Sequence, residues 1–213
     1  MQARQISDGV WWVGAIDWDR RLFDGLIPLP DGTSYNSYVV QGTEKVALID
    51  GVDPSMRDIL FARLDTLKLS RIDYVIANHA EQDHAGTIPD VLKAFPMAQV
   101  LTSEKGKGML MDLLAIPEDR IQVVRDGETL DLGNRTLKFV YFPWVHWPET
   151  MLTWLPENRI LFTCDLFGSH VATADLFVTD QPEVFIAAKR YYAEIMMPFK
   201  SMIESKIDSV IKL

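Results

Sequence analysis

The sequence predicts an α/β fold in which helices pack on the faces of β-sheets. Short runs rich in valine and isoleucine alternate with stretches whose apolar residues recur every three or four positions. Two of the apolar runs, 38–41 and 45–50, lie close enough to pair as a hairpin ahead of the first helix, which argues against a purely parallel sheet. No G-x-G-x-x-G follows any strand, so a dinucleotide-binding fingerprint is absent.

Residues 10–15 read as a first strand. The hairpin 38–41/45–50 turns at Gly42-Thr43, and Asp50-Gly51 ends its second strand. Over 55–67 the period changes: Met56, Ile59, Leu60, Leu64 and Leu67 form one apolar stripe, with Pro54 at the position a helix start favours. Residues 73–78 are a buried strand, 86–95 a helix that stops before Pro96, 99–102 a strand, and 104–114 a helix. Residues 121–124, 136–141, 151–155 and 159–163 are strands, with turns at Asp126-Gly127 and Gly133-Asn134. A long helical pattern covers 183–207, which Pro198 must kink or split.

At 213 residues, with 48% hydrophobic and 24% charged residues, the chain has the length and composition of one substantial globular domain. It carries 21 Lys+Arg against 30 Asp+Glu, a net charge of −9. Such a surface repels phosphate backbones and anionic membranes, so neither a nucleic acid nor a membrane is expected as partner. Cys164 is the single cysteine, which excludes an intramolecular disulfide and fits a reducing compartment. The N-terminus shows no signal-peptide pattern, and no apolar run reaches the ~18 residues a membrane helix needs. A cytoplasmic location is the expectation.

The chemistry concentrates in residues 78–86, Asn-His-Ala-Glu-Gln-Asp-His-Ala-Gly, directly after the buried strand 73–78. Two imidazoles and two carboxylates within six residues form a metal-ligand pattern, and in an extended stretch His79, Glu81 and Asp83 share one side. His146 lies in a stiff loop between Trp144 and Trp147, where a ligand and a histidine packed among aromatics are both compatible with its context. Asp165 follows the apolar strand 159–163, and a carboxylate there is either paired with a metal or serves as a cap. Asp50 is a candidate hydrogen-bond partner for a ligand histidine. Trp147 and Tyr192 are candidates to shield the site, and Cys164 reads as a small packed residue.

The order His-x-Glu-x-Asp-His, then a histidine, then an aspartate ending a strand, resembles the metallo-β-lactamase superfamily. Glu81 stands where the hydrolases of that superfamily carry histidine. With NHAEQDHAG at 78–86, HWPETM at 146–151, YYAEIMMPF at 191–199, DGVWWVGAIDWDRRLFDG at 8–25 and SYNSYVV at 34–40, the chain is similar to the flavodiiron proteins. The resemblance implies a metallo-β-lactamase-like αββα four-layer sandwich over residues 1–213. It also implies a non-haem diiron site that reduces O2 to water or NO to N2O. His79, Glu81 and His146 would hold one iron, Asp83 the other, and Asp165 would bridge them. His84 stands beside the second iron, where in the family it either coordinates or stands back.

In the family a last histidine follows the C-terminal helix, and a flavodoxin-like domain carries flavin mononucleotide. No histidine follows His170 in this sequence, so the resemblance implies a diiron domain cut before its final ligand segment. Electrons would then come from flavin on a separate domain or partner, or from a rubredoxin-type donor, and a head-to-tail homodimer is implied. Carboxylate plus imidazole suits redox-active iron, and two ferrous ions are balanced by three carboxylates and a bridging hydroxide. Two alternatives stay open: a zinc hydrolase of the same fold, and a non-catalytic truncated scaffold.

Overall fold

The structure, a computed structural model, describes residues 1–178 and 181–213. In chain order its strands are β1 (Arg4–Ser7), β2 (Val10–Trp12), β3 (Ala15–Asp17), β4 (Leu22–Phe23), β5 (Ile27–Pro28), β6 (Thr33–Tyr35), β7 (Tyr38–Gln41), β8 (Val46–Ile49), β9 (Tyr74–Ile76), β10 (Gln99–Thr102), β11 (Ile121–Val123), β12 (Thr129–Asp131), β13 (Thr136–Tyr141), β14 (Met151–Leu155) and β15 (Ile160–Phe162). The helices are α1 (Arg57–Thr66), α2 (Gln82–Ala85), α3 (Ile88–Ala94), α4 (Glu104–Leu114), α5 (Pro182–Tyr191) and α6 (Lys200–Ile211).

Among the described residues a seven-stranded sheet runs β1-β2-β7-β8-β9-β10-β11, and a four-stranded meander runs β12-β13-β14-β15. The first sheet is antiparallel up to β8 and parallel from β8 to β11, with helices in the parallel crossovers. The predicted hairpin forms, and it pairs Gln41 with Val46. The mixed sheet follows from it, because tight turns join antiparallel strands and crossover helices join parallel ones.

Period-two alternation sorts each strand's side chains between layers. Val39, Leu48, Val75 and Val100 face Leu60 and Leu64 of α1, Ile88 and Val91 of α3, and Leu110 of α4. Val40, Ala47, Ile49, Ile76 and Leu101 face Leu137, Phe139, Met151 and Leu155 of the second sheet. Leu152, Val140 and Leu161 face outward from that sheet onto Tyr191, Ile195, Met196, Ile203 and Ile207. Three apolar layers separate four structural ones, so the architecture is the αββα sandwich.

Several elements differ locally from the sequence reading. The strand expected over 10–15 is two strands in different sheets, broken at Val13-Gly14. A Cβ on Gly14 would sit 2.1 Å from the Tyr35 carbonyl oxygen, so the backbone can cross there only without a side chain. The helix expected over 86–95 begins at Ile88, and residues 82–85 form a turn of their own. The pattern over 183–207 is split as Pro198 requires: α5 passes through a wide turn over Tyr192–Met196 and a tight one over Met197–Phe199 into α6. Strands β1, β6 and β12 lack the valine and isoleucine enrichment that signals a strand.

Phe139 is fully buried between the sheets, whereas Met97 is exposed. Phe139→Ala should lower the unfolding free energy by about 3–5 kcal/mol through the cavity it leaves. Met97→Ala should change it by less than about 0.5 kcal/mol. Urea unfolding of the two variants checks the contrast.

Candidate metal centre

His79 lies just past the C-terminal end of β9, where open α/β sheets present ligands. The residue before it, Asn78, is fully buried and fully bonded. Its backbone N–H donates to Asp50 Oδ1 at 2.8 Å and its side-chain amide to Asp50 Oδ2 at 3.1 Å. Its Oδ1 accepts from Thr153 Oγ1 at 2.7 Å, and its carbonyl accepts from Met151 N–H at 2.9 Å. Asp50 therefore does not bond a ligand histidine, as the sequence reading had suggested, but clamps the residue that precedes one. The carboxylate beneath His79 is Glu149: Oε1 lies 2.7 Å from His79 Nδ1 and accepts from the Ala80 N–H at 2.9 Å. With Nδ1 so occupied, Nε2 faces the site.

Glu81 is the residue at which the loop enters α2. Its Oε2 lies 3.1 Å from His79 Nε2 and 3.1 Å from His146 Nε2. Asp165, on the loop after β15, places Oδ2 3.2 Å from His79 Nε2 and 3.8 Å from His146 Nε2. One ligand atom each from His79, Glu81, His146 and Asp165 lie within 4.8 Å of one another. Asp165 Oδ1 in turn lies 3.1 Å from His84 Nε2, which is 3.5 Å from Asp83 Oδ2. Asp165 thus stands between a tight four-residue cluster and the Asp83–His84 pair. The alternation expected to align Asp83 with His79 and Glu81 fails because the chain turns helical at Gln82. The helix carries Asp83 to the far side of Asp165.

Backbone geometry around the site is tight. Asp50, Trp144 and Cys164 adopt φ of 53°, 68° and 40°, a left-handed conformation that costs non-glycine residues energy. Trp144 and Cys164 lie in the loops that carry His146 and Asp165, and Asp50 ends β8 beside Asn78. Gly51 donates its N–H to the His84 carbonyl at 2.5 Å, and a Cβ there would meet Thr87 Oγ1 at 2.5 Å, so only glycine lets that loop seat α2.

The electrostatics calls for a cation. Burial opposes ionisation of Asp165, yet His84 and His79 overcome it and hold the carboxyl far below its usual range. Burial likewise opposes ionisation of Glu81, and its bonds to His146 and His79 bring it down to about 2. Burial pushes Asp83 up to about 6 against the pull of His84. Burial disfavours the charge on His84, but Asp83 and Asp165 push it up to about 10. His79 is raised by Asp165, Glu149 and Glu81 despite its burial. Protonated imidazoles thus do what a divalent ion does more completely. Buried Asp165 Oδ2 and Asp83 Oδ1 have no hydrogen-bond partner. Orphaned carboxylate oxygens beside convergent imidazole nitrogens fit a hard divalent metal.

A cavity of about 70 Å³ opens onto these residues and is also lined by Phe23, Thr33, His170 and Tyr191. Tyr191, not Tyr192, belongs to the site: its hydroxyl donates to Asp165 Oδ1 at 2.8 Å, while Tyr192 is partly exposed and does not line the cavity. Trp147 packs edge-on against His79, with ring centroids 5.1 Å apart. Cys164 tucks its thiol against the Met151 carbonyl, and burial raises its pKa well above the usual range. The sequence reading missed Glu149, Tyr191, and Asp24, whose carboxyl is raised by burial and by neighbouring Glu81. The position of Glu149 three residues after His146 was the available signal for the first, and nothing in the pattern around Asp24 distinguished it from a turn residue.

Two sheets face to face, sheathed by helices, with a histidine–carboxylate cluster on the loops at one end, define a protein of the metallo-β-lactamase type. The chain belongs to the ODP family beta lactamases, whose pattern matches residues 33–213. It is similar to the flavodiiron protein from Giardia intestinalis, with 33% identity and a TM-score of 0.94 over 100% of this chain and 52% of that one. It is also similar to the rubredoxin oxygen:oxidoreductase from Desulfovibrio gigas, with 33% identity and a TM-score of 0.93 over 99% and 53%. In sequence it is 36% identical to the nitric oxide reductase of Moorella thermoacetica over 98% of this chain and 53% of that protein. The chain spans about half the length of the curated relatives it matches. No helix among the described residues is long and apolar enough to cross a membrane.

In the metal-free protein the raised pKa of His84 makes stability pH-dependent. The folded chain holds a proton that the unfolded chain releases near pH 6.5, so this contribution is complete below that value. It is lost as pH rises through about 10. The urea midpoint of chelator-treated protein should therefore fall between pH 7 and pH 9.5. His84→Gln should flatten that fall.

Proposed function

We propose that residues 1–213 form one diiron domain that reduces dioxygen to water or nitric oxide to nitrous oxide. The observation that carries this reading is the convergence of His79, Glu81, His146 and Asp165 within 4.8 Å, with orphaned carboxylate oxygens on Asp165 itself and on neighbouring Asp83. In this reading His79, Glu81 and His146 would hold one iron and Asp83 the second, Asp165 would serve both, and His84 would stand beside the second. Glu81 favours iron over zinc because it replaces an imidazole by a harder, anionic donor. The names of two similar proteins, a nitric oxide reductase and a rubredoxin oxygen:oxidoreductase, support the choice of substrates.

When bound, the iron pair supplies electrons and open positions for an uncharged diatomic. The chain's own residues do the rest. Glu149 fixes the His79 tautomer and ring plane through Nδ1. Tyr191 orients Asp165 through Oδ1. Phe23 and Ile195 wall the pocket with apolar surface, which limits water, and Trp147 packs edge-on against the His79 ring. Electrons reach the site from flavin mononucleotide on another domain or chain, or from a rubredoxin-type donor. A head-to-tail homodimer would bring such a flavin beside the pocket. The single cysteine suits a reducing setting such as the cytoplasm.

The deciding experiment loads the chain anaerobically with ferrous iron, supplies a reduced flavin-bearing donor, and follows NO or O2 consumption at an electrode. Iron-dependent consumption is expected, and Glu81→His should abolish it while shifting metal preference toward zinc. Full activity in that variant would sink the account of metal choice. Ferrous titration of the 213-residue chain should show one tight ion and a second, weaker one, because the first position has the more donors. Glu149→Gln should weaken the tight site about 10–100-fold, as loss of a ligand's orienting partner does. Equilibrium dialysis measures both.

A further inference from the structure

His170 is left unexplained by the centre described above. It lines the same cavity as Glu81, Asp83, His84, His146 and Asp165 but is not one of the four clustered ligand residues. Its ring cannot swing freely, because Phe23 and Tyr191 flank it with centroids 5.0 Å away on each side. Nδ1 lies 2.9 Å from the hydroxyl of buried Thr33. Nε2 is buried and has no hydrogen-bond partner. A buried polar nitrogen without a partner is costly, so its surroundings in the working protein must supply one.

The tautomer follows from the neighbours. Burial keeps the imidazole neutral and lowers its pKa to about 4, so one ring nitrogen donates and the other accepts. The Thr33 hydroxyl can donate to Nδ1, which leaves the proton on Nε2. His170 lines a cavity whose polar lining includes the carboxylates of Glu81, Asp83 and Asp165, and beside those anions a donor is electrostatically favoured over a lone pair. Resting on the diiron reading above, we propose that His170 is a positioning residue: its Nε2–H donates a hydrogen bond to the small molecule received in the pocket. Thr33 sets the tautomer that makes it a donor. The guest class is a two- or three-atom species with an acceptor atom, such as a diatomic oxide, dioxygen or azide.

Azide tests this without turnover. The 213-residue chain is loaded with iron and oxidised, its iron content is measured, and azide is titrated by the change in visible absorption. His170→Leu should raise the azide dissociation constant about 10-fold at unchanged iron content, the effect of one lost hydrogen bond to a charged guest. His170→Gln, whose amide nitrogen reaches the Nε2 position, should stay within about 3-fold of the parent. Thr33→Val frees the tautomer and should weaken azide by an intermediate factor, which also decides the matter if the leucine variant does not fold. Parental azide affinity in His170→Leu, or in Thr33→Val where the leucine variant does not fold, overturns the proposal. Loss of iron in folded His170→Leu also overturns it, since His170 would then hold metal and not guest. An unsubstituted chain that takes up no iron defeats the diiron reading itself and this inference with it. An iron-loaded chain indifferent to His170 defeats only the inference.

Discussion

The buried amide of Asn78 joins the two sheets at the end where the site lies. It belongs to the strand-end loop of the first sheet, yet it accepts from Thr153 and Met151 of the second and donates twice to Asp50. Four bonds to one residue satisfy every polar group it has except spare lone pairs, which makes a polar side chain tolerable between apolar layers. The consequence is geometric. His79 comes from one sheet, while His146 and Asp165 come from loops flanking β14 and β15 of the other. Their nitrogen and oxygen atoms meet within a few ångströms only if the sheets hold one register, and Asn78 sits beside His79 where any slip would matter most.

The same end of the molecule concentrates its energetic cost. Glu81, Glu149, Asp165 and Asp50 are buried carboxyls, and His79 and His84 are buried imidazoles. Each buried ion costs several kcal/mol to desolvate, offset only by close partners. Pairing is extensive but incomplete: Asp165 Oδ2 and Asp83 Oδ1 stay without donors. Left-handed backbone at Asp50, Trp144 and Cys164 adds strain in the loops nearby. Three apolar layers stabilise the sandwich against this cost, and the orphaned oxygens are where a bound cation would offset more of it.

The outer helical layer acts on the site through one residue. After α5 the chain widens over Tyr192–Met196 and then tightens at Pro198, which keeps Tyr191, Ile195 and Met196 together on the face toward the second sheet. Lys206 Nζ donates to the Tyr141 carbonyl, and Phe199 stacks on Trp144 with centroids 6.5 Å apart, so α6 and the His146 loop are packed together. Tyr191 is thereby held against Asp165, and the C-terminal layer shares in orienting the residue that links both halves of the centre.

Much of this was legible in the residues alone. Strands with valine and isoleucine, the hairpin turning at Gly42-Thr43 and the helix over 104–114 follow from period and turn chemistry, which are local properties. The convergence of His79 and Glu81 was legible in the ligand chemistry of residues 78–86, whereas His146 and Asp165, each open between ligand and packing or cap on its own, were joined to them by the resemblance in residue order. The side of Asp165 on which Asp83 falls was not, since it depends on where the loop turns helical. Nor were Glu149 beneath His79, Tyr191 rather than Tyr192 at the pocket, or Asp50 bonded to Asn78 instead of a histidine. Each of those pairs residues from different elements, between 26 and 70 positions apart. Sequence alone determined which ligand-type residues were candidates for the site and the faces each element must bury. Only the tertiary structure decided which donor meets which acceptor, because hydrogen bonds are short and directional and the register of two packed sheets sets those distances.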